Sequence, residues 1–145
     1  MDMMQLRRSL IASQLSTPIV NINIWDEVWE NGQISTKTGE KINDTAQQVR
    51  SANYIPTDPN TTYYFKTAGK TAWMLFYDSS HNVIEGYSTG AYSSSNASAV
   101  NNNVFTTPTN GAYMMFYMVA AYGGTYNNDL SINYPSTDHD YHQHI

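Results

Sequence analysis

Gly111-Ala112-Tyr113-Met114-Met115-Phe116-Tyr117-Met118-Val119 and Ala72-Trp73-Met74-Leu75-Phe76-Tyr77-Asp78 read as two central β-strands. Successive side chains of a strand point to opposite faces of its sheet. Met74 and Phe76 therefore share a face with Ala112, Met114, Phe116 and Met118, which is a core face. The other face carries Trp73, Leu75 and Tyr77 beside Tyr113, Met115 and Tyr117. Its aromatic members have polar tips, so they can work at a wet surface as well as in a core. What that second face meets is the functional question.

Working outward, the chain of 145 residues is about one domain, long enough for a sizeable core. Only 13% of residues are charged, whereas Ser, Thr and Asn together number 44 and Tyr alone 12. That is the polar, uncharged, turn-rich composition of a β protein. The net charge of −5 argues against a surface that tracks phosphates, more so because Arg7 and Arg8 are two of only seven basic residues. No nucleic-acid partner is expected, and no apolar run reaches the ~20 residues of a membrane span. The opening segment is too short in apolar residues and too polar for a signal-peptide core, so conventional secretion is not expected. Without cysteine, stability has to come from the core or from partner chains.

Short strands separated by turn signals are expected at residues 19–25, 28–35, 47–55, 61–67, 71–78, 83–87, 103–107, 112–120 and 128–134, the spacing of a β-sandwich. Pro56, Pro59, Pro108 and Pro135 fall at strand ends or in loops, where a missing N–H is harmless. The Ser/Ala/Asn-rich run 92–103 reads as a long loop or a short helical turn. Ahead of the strands, residues 2–15 carry an amphipathic helix pattern: Asp2 and Gln5 have capping-box spacing, and Met3, Leu6 and Leu10 form a stripe. Such a short helix is marginal alone, so the stripe is expected to dock, with Met3, Leu6 and Leu10 as the seam of a homo-oligomer. The division is residues 1–17 as helix, 18–135 as sandwich and 136–145 as C-terminal tail.

An ordered series of motifs carries a resemblance. Trp25-Asp26-Glu27-Val28-Trp29-Glu30, Arg50-Ser51-Ala52-Asn53-Tyr54-Ile55-Pro56, Asn60-Thr61-Thr62-Tyr63-Tyr64-Phe65, Phe76-Tyr77-Asp78 with His81-Asn82-Val83-Ile84, Phe105-Thr106-Thr107-Pro108 and Asn127-Asn128-Asp129-Leu130-Ser131-Ile132-Asn133-Tyr134-Pro135 span residues 22–135. In that order they resemble a module of structural proteins from bacteriophages and prophages of Gram-positive gut bacteria. The resemblance implies an all-β fold: a jelly-roll β-sandwich of the galactose-binding, carbohydrate-binding-module kind, with a short N-terminal α-helix added. It implies a place on the tail, baseplate or fibre of a virion, made in the bacterial cytoplasm, with other virion proteins as partners and a trimer as the oligomer. Relatives carry polar residues where this chain has Trp73 and Met115, so details of sugar binding need not transfer.

Sugar rings stack their C–H faces on aromatic side chains while their hydroxyls need convergent hydrogen-bond partners. Trp73, Tyr77, Tyr113 and Tyr117 form the expected platform for a cell-surface glycan; Arg50 and Trp29 join them as candidate ligand contacts. The competing readings are ordinary packing, or an oligomer interface in a purely structural virion protein. Arg50 also fits a structural ion pair with Asp26, Glu27 or Glu30. Trp25 and Trp29, four apart, would share a strand face, with at least one in the core or lidding its edge. In the tail, His142 and His144 with Asp138 or Asp140 suit a divalent metal, although a solvated tail is the simpler reading. Asp58, Asn60, Asn127 and Asp129 are the oxygen ligands available to calcium. No metal or cofactor is expected. Elbow, zinc-binding, phosphate-loop and cysteine-nucleophile motifs are absent, and Asp26 with Glu30 is the nearest thing to a glycosidase pair. The expectation is a non-enzyme.

Overall fold

The structure, a computed structural model, describes residues 21–43, 47–85, 95–120 and 124–145. The helix expected at 2–15, with Met3, Leu6 and Leu10, lies outside them. Among the described residues the chain is all β, with no helix. Twelve short strands follow in order: β1 (Ile22–Asn23), β2 (Trp29–Asn31), β3 (Gln33–Ile34), β4 (Lys41–Ile42), β5 (Gln48–Ser51), β6 (Ile55–Pro56), β7 (Thr62–Thr67), β8 (Ala72–Tyr77), β9 (Ser98–Val100), β10 (Asn103–Thr106), β11 (Tyr113–Val119) and β12 (Leu130–Tyr134).

One antiparallel sheet has the order β1-β12-β7-β10, and a second the order β2-β5-β11-β8-β9 with β6 also on β11. They share a core, an arrangement consistent with a β-sandwich. Tyr63, Phe65, Leu130 and Ile132 come from the first sheet and Met74, Phe76, Met114, Phe116 and Met118 from the second. The two stretches that open the sequence reading lie side by side as β8 and β11, with Met114 opposite Phe76 and Phe116 opposite Met74. The expected core face is the core face.

The opposite face of that sheet is roofed by its own chain. Gly32, at φ +126°, ends β2 and turns the chain into β3, which pairs only with β4 as a separate two-stranded hairpin. Ile34 of that hairpin is fully buried against Leu75, Tyr77, Met115 and Tyr117, with Ala97 beside them. A Cβ on Gly32 would stand 2.5 Å from the Arg50 Nη1 and 2.6 Å from the Ile42 oxygen. Glycine is needed there on both counts.

Four expected elements differ in detail. Residues 28–35 split at Gly32 between two sheets. Residues 47–55 split into β5 and β6, because the Ser51 hydroxyl accepts from the Phe116 N–H at 3.1 Å and so takes over the ladder where the backbone leaves it. Val83 makes only an isolated bridge to Tyr77, not a strand. Within the Ser/Ala/Asn run, residues 98–100 are a strand rather than a loop or helical turn, since β8 offers a free edge on which Ala99 pairs with Trp73.

The tail is docked rather than free, although residues 137, 139, 140 and 143–145 stay exposed as the simpler sequence reading expects. Asn133 Nδ2 donates to the Asp138 and Asp140 oxygens at 2.8 and 2.7 Å, and Asn23 Nδ2 donates to the His142 oxygen at 3.0 Å. His139 stacks on Tyr64 with centroids 3.8 Å apart, and Tyr141 donates to Glu27. Two buried asparagine amides thus take up peptide carbonyls of a segment with little apolar content. The tail straps the outer face of the first sheet.

Candidate functional site

Two of the four rings of the expected sugar platform are out of reach of solvent. Tyr77 is 1% and Tyr117 6% exposed. The Tyr77 hydroxyl donates to the Gly39 oxygen at 2.8 Å, so it is tied to the hairpin above it. Burial, with Tyr54 nearby, pushes this phenol far above its ordinary pKa; Tyr117 is also raised by burial, which a hydrogen bond with Gln33 only partly offsets. Trp73 is half-buried and lies parallel to Tyr117 at 5.4 Å, so one of its ring faces is already used. Neither Tyr77 nor Tyr117 can offer a ring to a ligand.

Arg50 is 2% exposed and has no free donor aimed outward. Its guanidinium donates to Glu30 through Nε at 2.8 Å and also through Nη2, to the Gln33 and Ile42 oxygens through Nη1 at 2.9 and 3.0 Å, and to Asn43 Oδ1 at 2.6 Å. It is the ion pair of the structural reading, and it ties β5 to the hairpin. Burial alone would raise Glu30, but hydrogen bonds from Arg50 and Lys41, and their charges, hold its carboxyl below the usual range. A group so held stays ionised and does not serve as the acid of a glycosidase pair. Its imagined partner Asp26 accepts from the Val28 N–H and from Asn53.

Trp29 is also removed from the ligand set. Its ring is edge-on to Trp25 at 4.7 Å, to Phe116 at 5.7 Å and to Tyr126 at 6.2 Å, so it lids the end of the core. Trp25 is the buried member of the pair.

Of the expected platform Tyr113, half-buried like Trp73, packs against two rings that the sequence reading passed over. Tyr54, thrown outward where β5 breaks from β6, stacks on His81 with centroids 4.1 Å apart and planes 7° from parallel. His81 meets Tyr113 at 4.7 Å, and Tyr54 lies edge-on to Tyr77 at 5.0 Å. The turn 78–82 builds this arrangement. Asp78 Oδ1 accepts from the Ser80 and Asn82 N–H groups at 2.9 and 3.0 Å, and His81 adopts φ +66° at its tip. That left-handed residue aims the imidazole back over Tyr54.

Tyr54 and His81 line a cleft of about 620 Å³, with Tyr113 packed behind His81. The β3–β4 turn supplies the opposite wall with Glu40 and Lys41, and Asn82 and Glu85 line the end. Tyr54 is 38% exposed, and Glu40, His81, Asn82 and Glu85 are exposed. A second cleft, of about 450 Å³, lies between β1, β6 and residues 143–145. Ile22, Ile24, Ile55, Pro56 and Ile145 share its lining with Asn21, Asn23, Asp26, Tyr54, Gln143 and His144. Among the described residues no group of three or more His, Asp or Glu is placed to hold a metal, and His142 is instead paired with Asp138.

No family model, curated protein or solved structure matches the chain.

Proposed function

We propose that the protein is a non-catalytic sugar-binding module, a jelly-roll sandwich that a phage or prophage virion carries on its tail, baseplate or fibre to recognise host cell-surface glycans. The observation that carries the reading is the cleft at the β3–β4 hairpin. Stacked, partly exposed rings of Tyr54 and His81, with Tyr113 behind them, stand across from polar and charged side chains on a second element. A pyranose needs that combination: a flat π surface for its C–H face and donors and acceptors around its rim. The virion setting comes from the ordered motifs of residues 22–135.

The alternative, a purely structural virion piece with its aromatic sheet face buried between subunits, finds less support. Tyr77, Tyr117, Leu75 and Met115 are already covered within one chain by the hairpin, so that face has little left to bury.

Affinity electrophoresis of the protein through gels containing Gram-positive cell-wall polysaccharides tests the reading. The expected result is retardation by at least one polysaccharide that Tyr113→Ala weakens. Retardation unchanged by Tyr113→Ala and by Tyr54→Ala would place sugar binding elsewhere and reject the cleft.

A further inference from the structure

Resting on the sugar-site reading, we infer that the cleft selects a sugar bearing a free amino group over its N-acetylated and its acidic counterparts. The cleft sets charge beside a π surface. Glu40 reaches the cleft from the β3–β4 turn and Glu85 from the chain beyond the bridge at Val83, so two independent elements each bring a carboxylate. Neither has an ion-pair partner among the described residues. Lys41 lines the same cleft, but its ammonium is held by Glu30 at 3.1 Å and donates to the Ala52 oxygen at 2.7 Å. Its charge is spent on the hairpin's attachment. The wall behind His81 adds a further negative group, because the backbone N–H of Asn82, then that of Ser80, keep the Asp78 carboxyl below the ordinary range.

An ammonium in this cleft meets two uncommitted carboxylates and the electron-rich ring of Tyr54, which attracts cations. Acetylation removes that charge, and a uronate brings one of the wrong sign. Setting a like charge against a ligand is one way a site rejects it.

The test is titration calorimetry of the full chain with glucosamine tetrasaccharide, its N-acetylated form and tetragalacturonate, at low and high salt. The amino form is expected to bind about tenfold more tightly than the N-acetylated form, with the uronate weaker than both and the gap narrowing in salt. In the double variant Glu40→Gln, Glu85→Gln the gap between the amino and the N-acetylated form closes. Both positions are exposed and glutamine keeps their shape, and circular dichroism checks that the variant is folded. Uronate binding as tight as the amino form, or a gap that survives the double substitution, overturns the selectivity while leaving a sugar site in place. Failure of the amino form to bind the unaltered protein overturns the selectivity, while the gel-retardation experiment decides the sugar-site reading separately.

Discussion

Arg50 shows how a single residue can be misjudged for function when its value is structural. A lone arginine in the body of an acidic chain invites a ligand, yet here each of its donors has a protein acceptor. Arg50→Met should cost about 3 kcal/mol in urea unfolding, since it leaves the Gln33 and Ile42 carbonyls and Glu30 without their donor. Glu30→Gln should cost under about 1 kcal/mol, because that side chain is 38% exposed and its pairs are screened. Glu30 is depressed from 4.5, so its contribution is present above that pH and is lost as pH falls through the lower folded-state value. Comparing acid unfolding of the Glu30→Gln protein with the unaltered one checks the sign: the difference should vanish at low pH.

At the scale of elements, the hairpin of β3 and β4 decides which aromatic residues are core and which are site. Gly39, at φ +72°, brings it so close that an added Cβ would lie 2.8 Å from the Tyr77 ring and 3.0 Å from Val83. Gly39→Ala should therefore lift the hairpin, raise tyrosine exposure measured by acrylamide quenching and weaken sugar binding, with a stability loss of about 1–3 kcal/mol. Deleting residues 136–145 should destabilise by about 2–4 kcal/mol through the lost bonds of Asn23 and Asn133, and speed hydrogen exchange in β1 and β12 first.

These same elements mark the boundary of what sequence can show. β8 and β11 were legible because each is a run of six or more apolar and aromatic residues; their core face came out as expected, whereas the face expected as a platform is roofed by the hairpin. The hairpin was not, because β3 and β4 have two residues each and two residues have no period. Its apolar signal is the single Ile34. The strand β9 hides in a Ser/Ala/Asn run because pairing there is set by the free edge of β8 rather than by propensity. The site itself was one-third visible. Tyr113 stood in a readable strand, whereas Tyr54 depends on the break after Ser51 and His81 on a left-handed turn residue, neither of which has a pattern. The available signal was modest: Asp78-Ser79-Ser80-His81-Asn82 reads as a turn, and a large ring at a turn tip has to lie on something.

For the molecule as a whole, burial of tyrosine makes the fold sensitive to base. Burial raises Tyr63, Tyr77 and Tyr117, and Tyr141 is pushed up to about 12 by desolvation and then by its bond to Glu27. A phenol with a raised folded-state value contributes full stability below its unfolded value near 10 and loses it as pH rises beyond. Absorbance titration should show the exposed tyrosines ionising reversibly, followed by a steeper step that coincides with loss of the circular dichroism signal. A gradual titration of all the tyrosines with the fold intact would contradict the buried second face.

The proposed working surface is the cleft of Tyr54 and His81, not the sheet face first suggested by Trp73 and Tyr117. Titration calorimetry of Tyr54→Ala and Trp73→Ala, side by side with the unaltered protein against a polysaccharide that retards it, tests this most directly. The account predicts at least a tenfold loss of affinity in Tyr54→Ala, about the worth of one stacked ring, and affinity within about twofold of the unaltered protein in Trp73→Ala. Loss confined to Trp73→Ala would contradict it and return the site to the sheet face.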